Sequence, residues 1–251
     1  MPPPLSLQLY TLREAMQSDF RSVLEEVAEI GFIGVEPAGY CGVSPREFGK
    51  IIRDLGLEIS SAHGAFPTGE EAERVLEEHE QLGNKWIVSG FGADTFKTKD
   101  GVKKAAEKLA EAAVNAATRG MRIAVHNHEF EFTNQFDGRS AYALMMELTG
   151  PNVFGELDIY WVQTGGEDPV KILQAQPARF PLLHVKDGPC LMGQPMTAVG
   201  AGTVDIRGNI AAATAAEWHV VELDHCATDM MDAVRQSYKF LTENGLSVGR
   251  K

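Results

Sequence analysis

Two kinds of pattern alternate along the chain. Short apolar runs rich in β-branched residues lie at 5–9, 33–36, 57–62, 86–90, 121–127, 153–158, 181–186 and 218–223. Their length and composition predict eight buried strands. Between them, apolar residues recur every three or four positions. Residues 19–30, DFRSVLEEVAEI, put Phe20, Val23, Leu24, Val27 and Ile30 on one helical face. The stretch SPRE, residues 44–47, offers Ser44 as N-cap, Pro45 in the first turn and Glu47 to complete a capping box. That helix is expected to stop at Leu55, before Gly56. Further helices are predicted over 70–82, 102–119, 139–149, 168–176, 205–215 and 228–243, and Gly83, Gly120 and Gly150 follow three of them.

Strands that alternate with helices must pair in parallel. Eight such units in 251 residues is the size of a closed barrel, so the expected fold is α/β, a single (β/α)8 TIM barrel over residues 1–251. An open doubly wound sheet is the rival. It usually carries a glycine-rich turn after its first strand, and the turn here, LYTLRE, contains no glycine.

Composition narrows the function. The chain is 44% hydrophobic and 23% charged, an ordinary globular balance. A net charge of −12 opposes nucleic-acid binding, which needs Lys and Arg on phosphates. No basic run points to a membrane surface, and no apolar run is long enough to span one. MPPPLSLQLY lacks the charged leader and apolar core of a signal peptide. Three cysteines, Cys41, Cys190 and Cys226, with no CxxC, fit reduced, buried thiols. Together these features predict a cytoplasmic protein with a small-molecule partner.

In such barrels chemistry gathers where strands end. Glu36 ends the second run (GVEPAGY) and His63 the third (SSAHGAF). Glu129 follows the fifth (AVHNHEFEF) and Asp158 ends the sixth (GELDIYW). His184, Lys186 and Asp187 end the seventh (LLHVKDG), and Glu222, Asp224 and His225 the eighth (VVELDHC). A lone polar strand end is commonly a solvated loop start. Several acids converging in one cleft repel unless a cation holds them. Glu129, Asp158, His184 and Glu222 would supply three oxygens and one nitrogen. That set suits Mn2+ first, or Mg2+, with Co2+, Fe2+ and Zn2+ as alternatives. It lacks the thiolates of a structural zinc site.

These motifs resemble the xylose isomerase-like TIM-barrel superfamily, in its sugar phosphate isomerase/epimerase branch. The resemblance runs from LSLQLYTLRE to KFLTENG and is most specific in HNHEFEF, ELDIYWV, LLHVKDG and VVELDHC. It implies that Glu129, Asp158, His184 and Glu222 are the metal ligands, and that Glu129 and Glu222 can face each other across a bound sugar as base and acid. Two departures stand out. Trp161 occupies the place where keto-sugar epimerases of the family carry histidine, and Lys186 follows His184 by two residues. Strict ketohexose 3-epimerisation is therefore disfavoured. The histidines needed for the three metals of the AP endonuclease relatives are also missing.

The expected reaction is proton abstraction beside a metal-polarised carbonyl, giving isomerisation or epimerisation of a sugar or keto-sugar. The same intermediate permits elimination from a keto-sugar, a 3-keto-glycoside or an inosose, so a lyase is the alternative. A non-catalytic sugar-binding barrel is the third reading. Lys186 is the candidate electrophile or proton shuttle. His63, Glu36, Trp161 and Asn127 are candidate substrate contacts. Asn127 shares parity with Glu129 and is expected to point inward, leaving His126 and His128 outward. Tyr10, Phe66, Phe91, Phe132, Tyr160 and Trp161 are candidates for an apolar wall. GAGTVD, residues 200–205, is a weak phosphate-loop signal because Asp205 would cap the next helix and repel phosphate. An unphosphorylated sugar or cyclitol is preferred as substrate, and barrels of this kind often form homo-oligomers.

Overall fold

A computed structural model describes residues 1–250. Nine strand segments form one parallel sheet. In chain order they are β1 (Leu5–Gln8), β2 (Gly34–Glu36), β3 (Glu58–Ile59), β4 (Ala62–His63), β5 (Trp86–Ser89), β6 (Arg122–His126), β9 (Val153–Asp158), β10 (Leu182–Val185) and β11 (Trp218–Val221). A separate hairpin, β7 (Gln135–Phe136) and β8 (Arg139–Ser140), lies between β6 and β9. The sheet order is β3-β2-β1-β11-β10-β9-β6-β5-β4. Its two ends, β3 and β4, are pieces of one stretch interrupted at Ser60-Ser61, and that stretch closes the ring. Ser60 N donates to Val35 O (3.1 Å), His63 N to Pro37 O (2.8 Å) and Gly64 N to Val88 O (2.9 Å). All eight predicted strands are therefore present in a TIM barrel, the third of them split.

Side chains alternate between the barrel interior and the helices outside. Outward residues such as Leu5, Leu7, Ile123, Val125, Leu183 and Val185 are fully buried against the helices. Inside, Trp86, Val88, Ala124 and Leu182 pack with Phe154 and Trp218 as a separate apolar cluster. Gly34 makes room for it: a Cβ there would lie 2.8 Å from the Trp218 ring. The next inward positions toward the strand ends are polar, so the barrel has an apolar floor and a charged mouth.

The helices follow the predicted faces: α1 (Arg13–Ile30), α2 (Pro45–Asp54), α3 (Ala72–Leu82), α4 (Lys99–Ala117), α6 (Ala141–Leu148), α8 (Pro169–Ala175), α9 (Ile206–Ala212) and α10 (Met230–Glu243). α1 is kinked at Asp19 (φ −155°, ψ 85°), whose carboxylate accepts from Ser22 N at 3.2 Å. The predicted start at residue 19 is thus the cap after the kink. Ser44 caps α2 through Glu47 N (3.2 Å), while the Glu47 carboxylate pairs with Arg21 (3.3 Å). Two helices lay outside the prediction, α5 (Phe130–Thr133) and α7 (Ile159–Thr164). Each is too short to show helical periodicity. Cys41 is exposed, and Cys190 and Cys226 are half-buried, so none is the buried filler expected. No helix among the described residues is long and apolar enough to cross a membrane.

His219, on β11, is fully buried behind the sheet, and its Nδ1 meets Ser247 Oγ at 2.9 Å. Burial pushes its imidazole down from 6.5 to about 4. The unfolded chain takes up this proton first, so the stability His219 contributes is complete above pH 6.5 and is lost as pH falls toward 4. The loss from this one group is on the order of 3 kcal/mol at most. Urea unfolding of the protein and of His219→Gln across this range should show their stability gap narrowing at low pH; parallel profiles would contradict the assignment.

Candidate functional site

The inward positions at the strand ends meet in two groups that share His184. In the outer group, His126 Nε2 lies 3.3 Å from Asp158 Oδ2 and 3.9 Å from Glu222 Oε2, and His184 Nδ1 lies 2.9 Å from Glu222 Oε2. All four ligand atoms are within 4.8 Å of one another. Lys186 Nζ joins them at 2.6 Å from Glu222, 3.0 Å from Asp158 and 2.8 Å from Asp224. In the inner group, His184 Nε2 lies 2.9 Å from Glu36 Oε1 and 3.0 Å from Glu156 Oε2. His63 Nε2 faces the same two carboxylates at 3.2 and 2.9 Å. Gln8 and Ser61 also donate to Glu36. Glu36, Glu156, Asp158, His184 and Lys186 are all fully buried.

Charge pairing decides the protonation states. Burial alone would raise the Glu36 and Glu222 carboxyls. His63 and His184 outweigh it at Glu36, and Lys186 and His184 at Glu222, so both sit well below the usual range. Asp158 is lowered despite burial, chiefly by Lys186. Glu156 is raised by burial and by the neighbouring Glu36 charge. Burial pulls His63 down, but Glu36 and Glu156 push it up to about 10. The same contest, with Glu222 added, holds His184 well above the imidazole range. Lys186 stays an ammonium because three carboxylates outweigh its burial. His126 goes the other way: burial drives it down to about 3, against the pull of its Asp158 neighbour, so its ring is uncharged at neutral pH.

The outer group fits a divalent cation. His184 Nδ1 and Glu222 Oε2 stand side by side at 2.9 Å, close enough for both to reach one ion. A neutral imidazole offers one lone pair and one N–H. His184 Nε2 has its hydrogen-bond partner in Glu36 (2.9 Å), which leaves Nδ1 as the nitrogen that could hold a cation. The inner carboxylates are then the acceptors that commonly orient a metal-bound histidine. Binding a cation at Nδ1 would displace a proton from the ring. Asp158 is aimed similarly: Oδ1 accepts from Trp161 N (2.9 Å), leaving Oδ2 toward the group.

Most candidate residues reach this mouth. Asp158, His184 and Glu222 come together, with Lys186 beside them and His63 and Glu36 beneath. Glu129 does not enter either group, and His126 takes that place. The reason is local: β6 ends at His126 and the chain turns into α5, so strand parity does not extend to Glu129. Glu129 instead precedes α5 half-buried, and its carbonyl accepts from Phe132 N and Thr133 N at 3.0 Å each. His126 points inward, contrary to the parity expectation. Asn127 clamps the Asp158 backbone, with Nδ2 to its O at 3.2 Å and Oδ1 accepting from its N at 3.0 Å. Glu131 is fully buried, accepts from His128 N at 3.0 Å, and burial holds its carboxyl well above the usual range.

Glu156 was missed although its signal was present, since residues two apart on a strand share a face and Asp158 was already placed inward. Asp224 offered the same signal, two residues beyond Glu222, whereas Gln8 and Ser61 carried none. Of the expected aromatic wall, Phe132 and Tyr160 are core residues, whereas Trp161 is half-buried beneath Lys186 Nζ, 5.7 Å from its ring centre. Beside the mouth a cavity of ≈ 420 Å³ opens between Tyr10, Arg13, Phe20 and Tyr40. Arg13 links it to the outer group: Nη2 donates to Asp224 O at 2.6 Å, and the Asp224 carboxylate accepts from Lys186.

The sequence model of the xylose isomerase-like TIM barrel matches residues 24–244. No curated protein matches by sequence. Among solved structures, a sugar phosphate isomerase/epimerase from Parabacteroides distasonis ATCC 8503 is similar at a TM-score of 0.82 and 24% identity, over 97% of this chain and 99% of that one. An L-ribulose 3-epimerase is similar at 0.70 and 16%, over 96% and 94%. A probable 3-DHS dehydratase, AsbF, from Bacillus anthracis is similar at 0.72 and 16%, over 95% and 98%. At these identities the likeness shows the fold.

Calorimetric titration of metal-stripped protein with Mn2+ should separate the ligands. His126→Ala and Asp158→Ala should weaken binding about 100-fold or more, and Glu156→Gln roughly 10–100-fold through His184. Glu129→Gln should stay within about threefold of the unaltered protein. A loss at Glu129 equal to that at Asp158 would return Glu129 to the ligand set.

Proposed function

The chain belongs to the xylose isomerase-like TIM barrel family, and on that premise we propose that it is a divalent-metal-dependent enzyme acting on a sugar or cyclitol next to a carbonyl group. The convergence of His126, Asp158, His184 and Glu222 on one point carries this reading. With two imidazole nitrogens and two carboxylate oxygens, the set is softer than three oxygens and one nitrogen. Mn2+, Fe2+, Co2+ or Zn2+ suits it better than Mg2+. When bound, such a cation supplies Lewis acidity that makes a proton beside a carbonyl removable.

The chain's own residues do the rest. Glu222, held ionised by Lys186 and His184, is the candidate proton acceptor. Lys186, held as an ammonium, is the candidate donor to the oxygen that gains charge. His126 and His184 are fixed as ligands, one by burial and one by the inner carboxylates. Trp161 gives the mouth an apolar side that limits water. Return of the proton to another atom or another face gives isomerisation or epimerisation.

Elimination is a second reading, favoured by one observation. Lys186 Nζ sits 2.6 Å from Glu222 Oε2, so an acid and a base occupy the same side of the site. That pairing suits loss of a β-oxygen substituent from a keto-sugar, 3-keto-glycoside or inosose. A dehydratase is also among the similar folds.

The test is incubation of Mn2+-loaded protein with ketoses, inosose and 3-keto-glycosides in deuterated water, followed by NMR and mass spectrometry. Deuterium beside the carbonyl with conserved mass indicates isomerisation or epimerisation, and loss of water or an alcohol indicates elimination. Lys186→Met should slow either by about 10²–10⁴-fold. No exchange into any compound that measurably binds would leave a sugar-binding barrel.

A further inference from the structure

Asp187 directly follows Lys186 and is 1% exposed, yet it points away from the two histidine groups. Its carboxylate is surrounded by backbone amides of the long segment that follows. Oδ1 accepts from Gly188 N (2.8 Å) and Val204 N (3.1 Å), and Oδ2 from Gly200 N (2.9 Å) and Gly202 N (3.0 Å). The segment is also tied to the strand end by its backbone: Thr197 N donates to Asp187 O at 3.0 Å, and Thr203 N and Oγ1 donate to Gly188 O at 2.9 Å each.

Amides converging on one point form a cradle for an anion. Three of these four, those of Gly200, Gly202 and Val204, belong to GAGTVD, the run that reads as a phosphate loop. The cradle also depends on glycine. A Cβ on Gly202 would lie 2.1 Å from Asp187 Oδ1 and 2.3 Å from Gly188 N, so any larger residue would push the carboxylate out. The neighbouring helix end is taken as well, because Asp205 caps α9 through Gly208 N at 3.0 Å.

We propose that Asp187 is a resident anion: its carboxylate fills the place a substrate phosphate would take in this loop, closes the loop to phosphate, and anchors the strand end that carries Lys186. The cradle selects for a substrate that brings no phosphate to this loop. As a statement about substrate class it rests on the proposed function; the filling of the cradle does not.

The test needs no substrate. Melting temperatures of the protein and of Asp187→Ala and Asp187→Asn are measured in sodium acetate, sodium phosphate and sodium chloride at matched ionic strength. Asp187→Ala should melt roughly 5–10 °C lower. Acetate or phosphate, but not chloride, should restore about half or more of that loss saturably by entering the emptied cradle. Asp187→Asn keeps the cradle filled, so it should be destabilised and respond less to either anion. In a parallel ¹⁵N–¹H titration of the unaltered protein, inorganic phosphate should leave the amides of Gly200, Gly202 and Val204 unmoved. Phosphate-dependent shifts at those amides would overturn the proposal. So would a folded Asp187→Ala that answers acetate and phosphate no more than the unaltered protein does. If Asp187→Ala does not fold, the amide titration still decides. An active site that fails the deuterium test while the cradle passes this one would refute the proposed reaction and leave the resident anion standing.

Discussion

The imidazole of His184 has carboxylates on both sides of its ring, and the rest of the mouth follows from balancing their charge. Glu222 lies by Nδ1, and Glu36 and Glu156 lie by Nε2. Buried carboxylates at such distances repel strongly unless cations or protons intervene. Lys186 answers on the outer side and His63 on the inner side. One nitrogen of His184 donates to Glu36, and the other is left aimed at a point it shares with His126, Asp158 and Glu222. This asymmetry turns a cluster of opposed charges into a site with one direction.

The barrel makes the arrangement affordable. Its floor is apolar, with Trp86, Val88, Ala124 and Leu182 sealing the interior below the charges. The outward faces of the same strands bury leucine, isoleucine and valine under the helices, so the hydrophobic core lies outside the polar mouth as well as beneath it. Positioning then passes to residues that touch no reacting atom. Asn127 holds the Asp158 backbone, Trp161 N holds Asp158 Oδ1, and Asp187 pins the loop beside Lys186. Each contact pairs a side-chain oxygen or amide with a backbone group, so the backbone at the strand ends is held in place.

The barrel was legible because its evidence is repeated. Every strand lies in a short apolar run, β-branched in all but the first (LSLQL), and every long helix has a periodic face or a cap such as Ser44. The cluster was legible wherever a member lies within its strand, as Asp158 and His184 do. It was least legible at AVHNHEFEF, where five polar residues crowd a strand end and the structure brings His126, not Glu129, into the cluster. The choice of His126 or Glu129 depends on where the strand stops, and the four-residue α5 that stops it leaves no periodic trace. Glu131, the last acid of that stretch, accepts a hydrogen bond from the turn it sits in. The loop GAGTVD showed the opposite failure. Its amides do gather around an anion, but that anion is Asp187, supplied by the preceding strand and joined to it only in three dimensions.

The account stands on a cation at the point shared by His126, Asp158, His184 and Glu222. The most direct test is elemental analysis of protein purified without an affinity tag, alongside Asp158→Ala. The account predicts about one Mn, Fe, Co or Zn per chain, lost in the variant. Metal-free protein whose melting temperature does not respond to Mn2+, Co2+ or Zn2+ would contradict it, and the clustered charges would then be an ion-pair network closed upon itself.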